Sequence, residues 1–144
     1  MDVEACAEKL NRRFAGAVQS IEKAHAGDPF LVIDPPRIAE VCLWLRDDPE
    51  MRFEWLMCLS GVDYPPERIA VVYHLYSQTH KRRIVLKVLL DRTDPRVPSI
   101  ESIWKMANWH ERECYDMFAV IFEGHPLRKD YVYPETYRGI TNKP

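Results

Sequence analysis

Ionisable and sulfur-bearing side chains are concentrated between Trp109 and Pro126, in the run WHERECYDMFAVIFEGHP. His110 and Cys114 lie four residues apart, so on a helix they share one face, and both are side chains that bind zinc. His125 follows and could supply a third ligand. A small metal-dependent enzyme is therefore one hypothesis. The pattern favours a buried Cys114 instead, because its neighbours are apolar and no second pair of ligands occurs at a usual spacing.

Acid-base and nucleophilic chemistry find less support in the same residues. Glu111 and Glu113 are two residues apart, so on a helix they point in nearly opposite directions and cannot flank one bond. Ser60 stands beside a glycine but lacks the G-x-S-x-G pattern of a hydrolase nucleophile. His74 and His80 lie near a predicted hairpin end, where a solvated or capping role is expected. The residues do not predict a catalytic site.

A binding surface fits this composition better. Arg112, Tyr115 and Phe118 are spaced by three, so they run along one helix side, and these residue types are common at interface centres. Consecutive charges surround most of the helix circumference, so some of them must face protein. The alternative is an intramolecular salt-bridge network, and composition alone leaves both open. The members of that network would be Glu111, Arg112, Glu113 and Arg128.

Whole-chain properties limit these hypotheses. The 144 residues, of which 47% are hydrophobic, predict a single domain spanning 1–144, with 127–144 as a C-terminal tail. Twenty Lys and Arg balance 22 Asp and Glu, which excludes the basic excess of a nucleic-acid binder. The four cysteines form no C-x-x-C pair, and we see no signal peptide and no apolar run of about 18 residues. We expect a soluble chain in a reducing, cytoplasmic compartment.

The first half of the chain reads as helix, strand, helix. Apolar residues at helical spacing from Val3 to Val18 predict the first helix, and Phe30 to Ile33 predict a short strand. The stripe from Ile38 to Leu45 predicts a second helix over 37–46, with proline in its first turn and an end at Asp47-Asp48-Pro49.

The second half is richer in β-structure. We predict a strand from about Leu56 to Asp63, then an antiparallel hairpin of Ile69–Tyr76 and Arg83–Leu90. Ser99 can cap a third helix with Ile100, Ile103, Trp104 and Ala107 on its buried side. The sum is a two-layer α+β domain, with helices on one face of a mixed or antiparallel sheet of four to five strands. A doubly wound nucleotide fold is not expected, because no glycine-rich loop follows a strand.

The central stretch resembles a known family, the soluble 30 kDa subunit (also called the C subunit) of proton-pumping NADH:quinone oxidoreductase, respiratory complex I. Its signature is similar to E-R-E-x-Y-D-M-F-G-I-x-F-E-G-H-P, which this chain matches at twelve positions between Glu111 and Pro126, with Ala119 in place of the glycine after Met-Phe. The resemblance covers about Leu56 to Tyr131, including Val62-Asp63-Tyr64-Pro65 and the hairpin.

Two departures accompany the resemblance. A left-handed helix cap at Ala119 would be strained by roughly 1 kcal/mol, so we expect the helix to end differently from its relatives. After Pro126 the chain runs directly into Leu127-Arg128-Lys129-Asp130-Tyr131, as though a loop present in relatives were deleted. A rival alignment instead equates Pro134-Glu135-Thr136-Tyr137 with the relatives' proline-glutamate turn.

The resemblance implies a structural subunit of the hydrophilic arm that carries no flavin, iron-sulfur cluster or quinone of its own. It would pack on the large quinone-site subunit (the D subunit) and near cluster-bearing subunits, at the cytoplasmic side of the inner membrane, with the membrane reached only through the complex. Membrane-bound hydrogenases and other quinone-linked dehydrogenases use a similar subunit, and the electron donor stays open. The implied docking residues are Glu111, Arg112, Glu113, Tyr115, Asp116, Phe118, His125, Pro126, Arg128 and Lys129.

Overall fold

The computed structural model describes residues 3–22, 29–64 and 67–125. The first half contains α1 (Val3–Arg13), β1 (Val18–Glu22), β2 (Phe30–Ile33), a 3-10 turn (Pro35–Arg37) and α2 (Ile38–Asp47). The second half contains β3 (Trp55–Tyr64), β4 (Arg68–Ser77), β5 (Arg82–Asp91), β6 (Arg96–Pro98), α3 (Ala107–Phe118) and β7 (Ile121–Glu123). The predicted docking residues Pro126, Arg128 and Lys129, and the tail 127–144, lie outside the described residues.

Five strands form the main sheet in the order β1-β2-β5-β4-β3. Neighbouring strands are antiparallel except β2 and β5, which are parallel, so the sheet is mixed. The predicted hairpin is β4 and β5, with Tyr73 opposite Leu86. Strand β3 pairs with β4 along its whole length, apart from an irregularity between Leu56 and Cys58, and forms the outer edge.

The hydrophobic core lies on one face of this sheet. Alternate residues of β4, Val71, Tyr73 and Leu75, belong to one buried cluster with side chains of all three helices. Because side chains alternate across a strand, every second residue points to the other face. The three helices thus pack on one face of the sheet, which confirms the predicted two-layer α+β domain.

The opposite face of the sheet carries a buried cation. Lys87, on β5, is paired with Glu22 and lies 5.0 Å from the ring centroids of both Phe30 and Tyr64. Lysine is rarely buried unless it is paired, and here an ion pair and two aromatic faces replace its water.

The prediction was wrong in two places in the chain. Val18 is not in the first helix but begins β1, because Gly16 adopts a left-handed conformation (φ 76°) that ends α1 before it. Residues 99–106 form successive turns, with hydrogen bonds from the Ile103 amide to Ile100 and from the Ala107 amide to Trp104. Such i to i+3 bonds close tight turns, so the third helix begins only at Ala107.

Candidate partner-docking site

The signature stretch folds as α3, and its last turn is anchored to the edge strand. A Cβ added to Gly61 of β3 would lie 2.5 Å from Cδ2 of Phe118, so the ring rests directly on the glycine backbone. Any larger residue at position 61 would push the ring away. Glycine here allows the close approach of helix and strand.

Helix α3 ends at Phe118, with Ala119 at the cap position where the family signature has glycine. Ala119 is left-handed (φ 59°, ψ 22°), and its amide donates to the Tyr115 carbonyl at 2.8 Å. The expectation that the helix would end differently was therefore wrong. Ala119 adopts this strained conformation because two contacts fix the last turn of the helix. These are the hydrogen bond to Tyr115 and the packing of Phe118 on Gly61.

Glu111 is the most buried charged group of the stretch, with 1% of its surface exposed. Its carboxylate accepts from the Ser99 hydroxyl at 2.6 Å and from the Ile100 amide at 2.8 Å. Ser99 Oγ in turn accepts from the Glu101 amide at 3.1 Å. Burial raises the pKa of Glu111 from 4.5 to about 7, although the donors Ser99 and Ile100 oppose this rise. Glu111 thus ties α3 to the turns before it.

His125 closes the other side of this cluster. It is buried, with Nε2 3.2 Å from the Asn108 carbonyl oxygen and 3.9 Å from Oε1 of Glu111. Strand β7 brings it there by pairing in parallel with β6, Val97 opposite Phe122. The structure therefore brings Glu111 and His125 together, although they are fourteen positions apart in the sequence.

The remaining signature residues differ in their exposure to solvent. Asp116 is buried and Glu113 is exposed, which confirms that some of the charges face protein. Arg112, Tyr115 and Phe118 are each half-buried, as expected of one helix side. The Arg112 guanidinium lies 5.3 Å from the ring centroid of Trp109. Whether these residues contact a partner stays a prediction.

The described residues do not have the arrangement that the catalytic and metal hypotheses require. Among residues 3–22, 29–64 and 67–125, no three His, Cys, Asp or Glu side chains converge as metal ligands would. Cys114 lies in the core cluster, and Glu111 and Glu113 stand on buried and exposed sides of α3. Arg128, a member of the hypothetical salt-bridge network, lies outside the described residues.

Sequence reasoning missed two features of this site. Ser99 was expected to cap a helix, but no helix begins there, and its hydroxyl donates to Glu111, twelve residues away, which no local pattern reveals. The outward apolar residues Met106, Trp109 and Met117 were also missed. Their helical spacing was visible in the sequence, but spacing alone does not distinguish an outward apolar side from an inward one.

The fold and site together define a two-layer α+β domain with a signature helix lying on the edge strand of its sheet. The sequence model of "Respiratory-chain NADH dehydrogenase, 30 Kd subunit" matches residues 31–143. The chain belongs to this family, and the resemblance proposed from Glu111 to Pro126 is confirmed.

Individual relatives are named as the C subunit of NADH-quinone oxidoreductase. The C subunit of NADH-quinone oxidoreductase from Roseiflexus sp. is 49% identical over 115 residues, covering 78% of this chain and 66% of that protein. The corresponding subunit from Chlorobium phaeobacteroides is 37% identical over 153 residues, covering 94% of this chain and 92% of that protein. The one from Chloroherpeton thalassium is also 37% identical, and the chain spans 61% of its length.

Two solved structures share the fold. A trypsin-resistant fragment (1-134) of Nqo5 superposes with a TM-score of 0.69 at 32% identity, covering 88% of this chain and 98% of the fragment. A chain from the membrane-bound sulfane sulfur reductase, an archaeal respiratory membrane complex, gives a TM-score of 0.71 at 21% identity, covering 96% and 81%. The second likeness shows the fold alone. In the described part of this chain, no helix is long and apolar enough to cross a membrane.

Proposed function

We propose that this chain is a non-catalytic structural subunit in the hydrophilic arm of an NADH:quinone oxidoreductase-type complex. The family match over residues 31–143 carries the proposal. In it the chain docks on the large quinone-site subunit near the cluster-bearing subunits, at the cytoplasmic side of the inner membrane. Flavin, iron-sulfur clusters and quinone belong to those partners and not to this chain.

The geometry of α3 supports a docking role. Its inner side is fixed by internal contacts. Glu111 accepts hydrogen bonds from the Ser99 hydroxyl and the Ile100 amide, and the Phe118 ring packs on Gly61. A helix held this firmly presents its outer side without further ordering, so less conformational entropy is lost when a partner binds. Arg112 stacked on Trp109 is the type of pair that is common at the centres of interfaces.

Substituting Arg112 by alanine tests the docking role. If Arg112 is an interface centre, the substitution weakens binding of the partner subunit by about 2 kcal/mol, roughly thirtyfold, as measured by titration of the purified subunits. Unchanged binding with easier unfolding of the isolated domain would instead assign Arg112 to an internal network. Arg12→Ala, which removes an exposed guanidinium from α1, is the matched control.

A second candidate is the equivalent subunit of a membrane-bound hydrogenase or another quinone-linked complex. The occurrence of the same fold in a chain of the sulfane sulfur reductase complex favours it. Identification by mass spectrometry of the electron-input subunits that co-purify with this chain separates the two. A metal-dependent enzyme built on His110, Cys114 and His125 would be revived by stoichiometric metal in elemental analysis of the purified protein.

A further inference from the structure

The outward side of α3 carries large apolar side chains that are unusually exposed. Met106, Trp109 and Met117 are 54%, 55% and 61% exposed. Their spacing places them along one side of the helix, and exposed Glu113 lies between Trp109 and Met117. These four residues are here called the α3 strip.

The strand on which α3 packs also carries exposed apolar residues. Trp55 and Met57 of β3 are 52% and 56% exposed. Of the seven large hydrophobic residues exposed in the described part of the chain, six belong to β3, α3 or the residue before α3. Single exposed hydrophobic residues are normal, whereas a concentration of them marks an interaction surface.

The charge of the α3 strip restricts what can cover it. Glu113 is the one carboxylate among its three apolar members, and a carboxylate covered by apolar groups alone loses its hydration without compensation. A covering surface must therefore place a cation opposite Glu113. The nearby guanidinium of Arg112 is directed over the Trp109 ring.

We propose that the α3 strip is the centre of the docking surface and that its occupant is a segment of a partner subunit with one Lys or Arg in an otherwise apolar face. This rests on the proposed function, since the partner is another subunit of the complex. Charge complementarity at Glu113 and the apolar strip around it select this occupant. Glu111, bonded to Ser99 and Ile100, then supports the surface from inside.

Photo-crosslinking within the assembled complex tests the proposal. A benzoylphenylalanine at position 117 should form an adduct with another subunit, and one at Leu43, a 44% exposed residue of α2, should not. Met117→Glu should lower the amount of partner subunit recovered at least tenfold, against less than twofold for Leu43→Glu. Both positions are exposed, and equal urea midpoints of the isolated domains confirm that the variants fold.

A charge exchange tests the cation. Glu113→Lys should weaken partner binding at least tenfold, and the reverse change of the Lys or Arg mapped by the crosslink should restore it. If the wild-type chain assembles while the position-117 crosslink joins a second copy of this chain or no subunit, the inference is overturned and the proposed function stands. If the wild-type chain co-purifies with no subunit, the proposed function itself fails.

Discussion

Replacing Glu111 by glutamine should change how the stability of the domain depends on pH. Burial raises the pKa of Glu111 from 4.5 to about 7, so between these values the folded protein binds more protons than the unfolded chain. The free energy of unfolding therefore falls as the pH rises through this window. The stabilising effect of the protonated group is complete below pH 4.5 and is lost as the pH passes 7. At about 1.4 kcal/mol per pH unit, the loss amounts to about 3 kcal/mol.

Glutamine suits the site because it can keep both contacts without ionising. Its amide oxygen can accept from the Ile100 amide, and its NH2 group can donate to Ser99 Oγ, which already accepts from the Glu101 amide. We expect Glu111→Gln to gain about 3 kcal/mol relative to the wild type between pH 4.5 and pH 8. Urea denaturation across this range measures the difference.

The difference between the two proteins isolates the titration of Glu111. Lys9 beside Glu50 and the Thr93 donors beside Asp91 hold the pKa values of those two carboxyls low, but in both proteins alike, so their effects cancel. Glu113→Gln, the same substitution at an exposed position of the same helix, is the control. A Glu111→Gln variant that is less stable than the wild type at pH 8 would refute the reasoning. It would mean that the donors Ser99 and Ile100 hold Glu111 ionised in the folded protein.

Three further predictions concern backbone and packing. Ala119→Gly should raise the free energy of unfolding by about 0.5–1 kcal/mol, because glycine adopts the left-handed conformation without strain, as urea denaturation would show. Gly61→Ala should cost about 1–3 kcal/mol, because the new Cβ would lie 2.5 Å from the Phe118 ring. In native protein only Cys58 should react quickly with a thiol reagent such as dithionitrobenzoate, because the other three cysteines are buried and burial raises the pKa of Cys6 to about 12 and of Cys42 further.

Matched variants control these three predictions. Ala39→Gly, in the first turn of α2, should destabilise by up to about 1 kcal/mol, so a loss of stability in Ala119→Gly as well would contradict the strain argument. Phe118→Leu should recover part of the loss caused by Gly61→Ala, and no recovery would argue against the ring as its cause. Rapid reaction of more than one thiol before denaturant is added would contradict the burial of the other cysteines.

The elements with strong local patterns could be predicted from the sequence. The hairpin of β4 and β5 and the helix α2 have clear periods of two and 3.6, and their bounds agree with the structure within one or two residues. Val18 continues the apolar spacing of α1 by chance, and residues 14–17, which include the left-handed Gly16, separate the helix from β1. Residues 99–106 carry a helical stripe, yet Trp104 is fixed by donating its indole N–H to the Phe53 carbonyl at 3.2 Å, a tertiary contact.

The candidate site was predicted in outline only. The motif indicated which helix carries it and that some of its charges face protein. It could not assign Glu111 to the inside and Glu113 to the outside, because that depends on a bond to Ser99 and on the position of β7, both set by the tertiary fold. The retained cap at Ala119 shows the same limit, since tertiary packing overrides a local cost of about 1 kcal/mol.

Purification of the tagged full chain from membranes in mild detergent tests the central claim most directly. We predict that the chain co-purifies, in a fixed ratio, with a homologue of the large quinone-site subunit and with cluster-bearing subunits, and that this assembly reduces quinone. The chain purified alone should give no turnover with NADH, ferredoxin or quinones. Turnover by the chain alone, or its recovery without those subunits, would contradict the account.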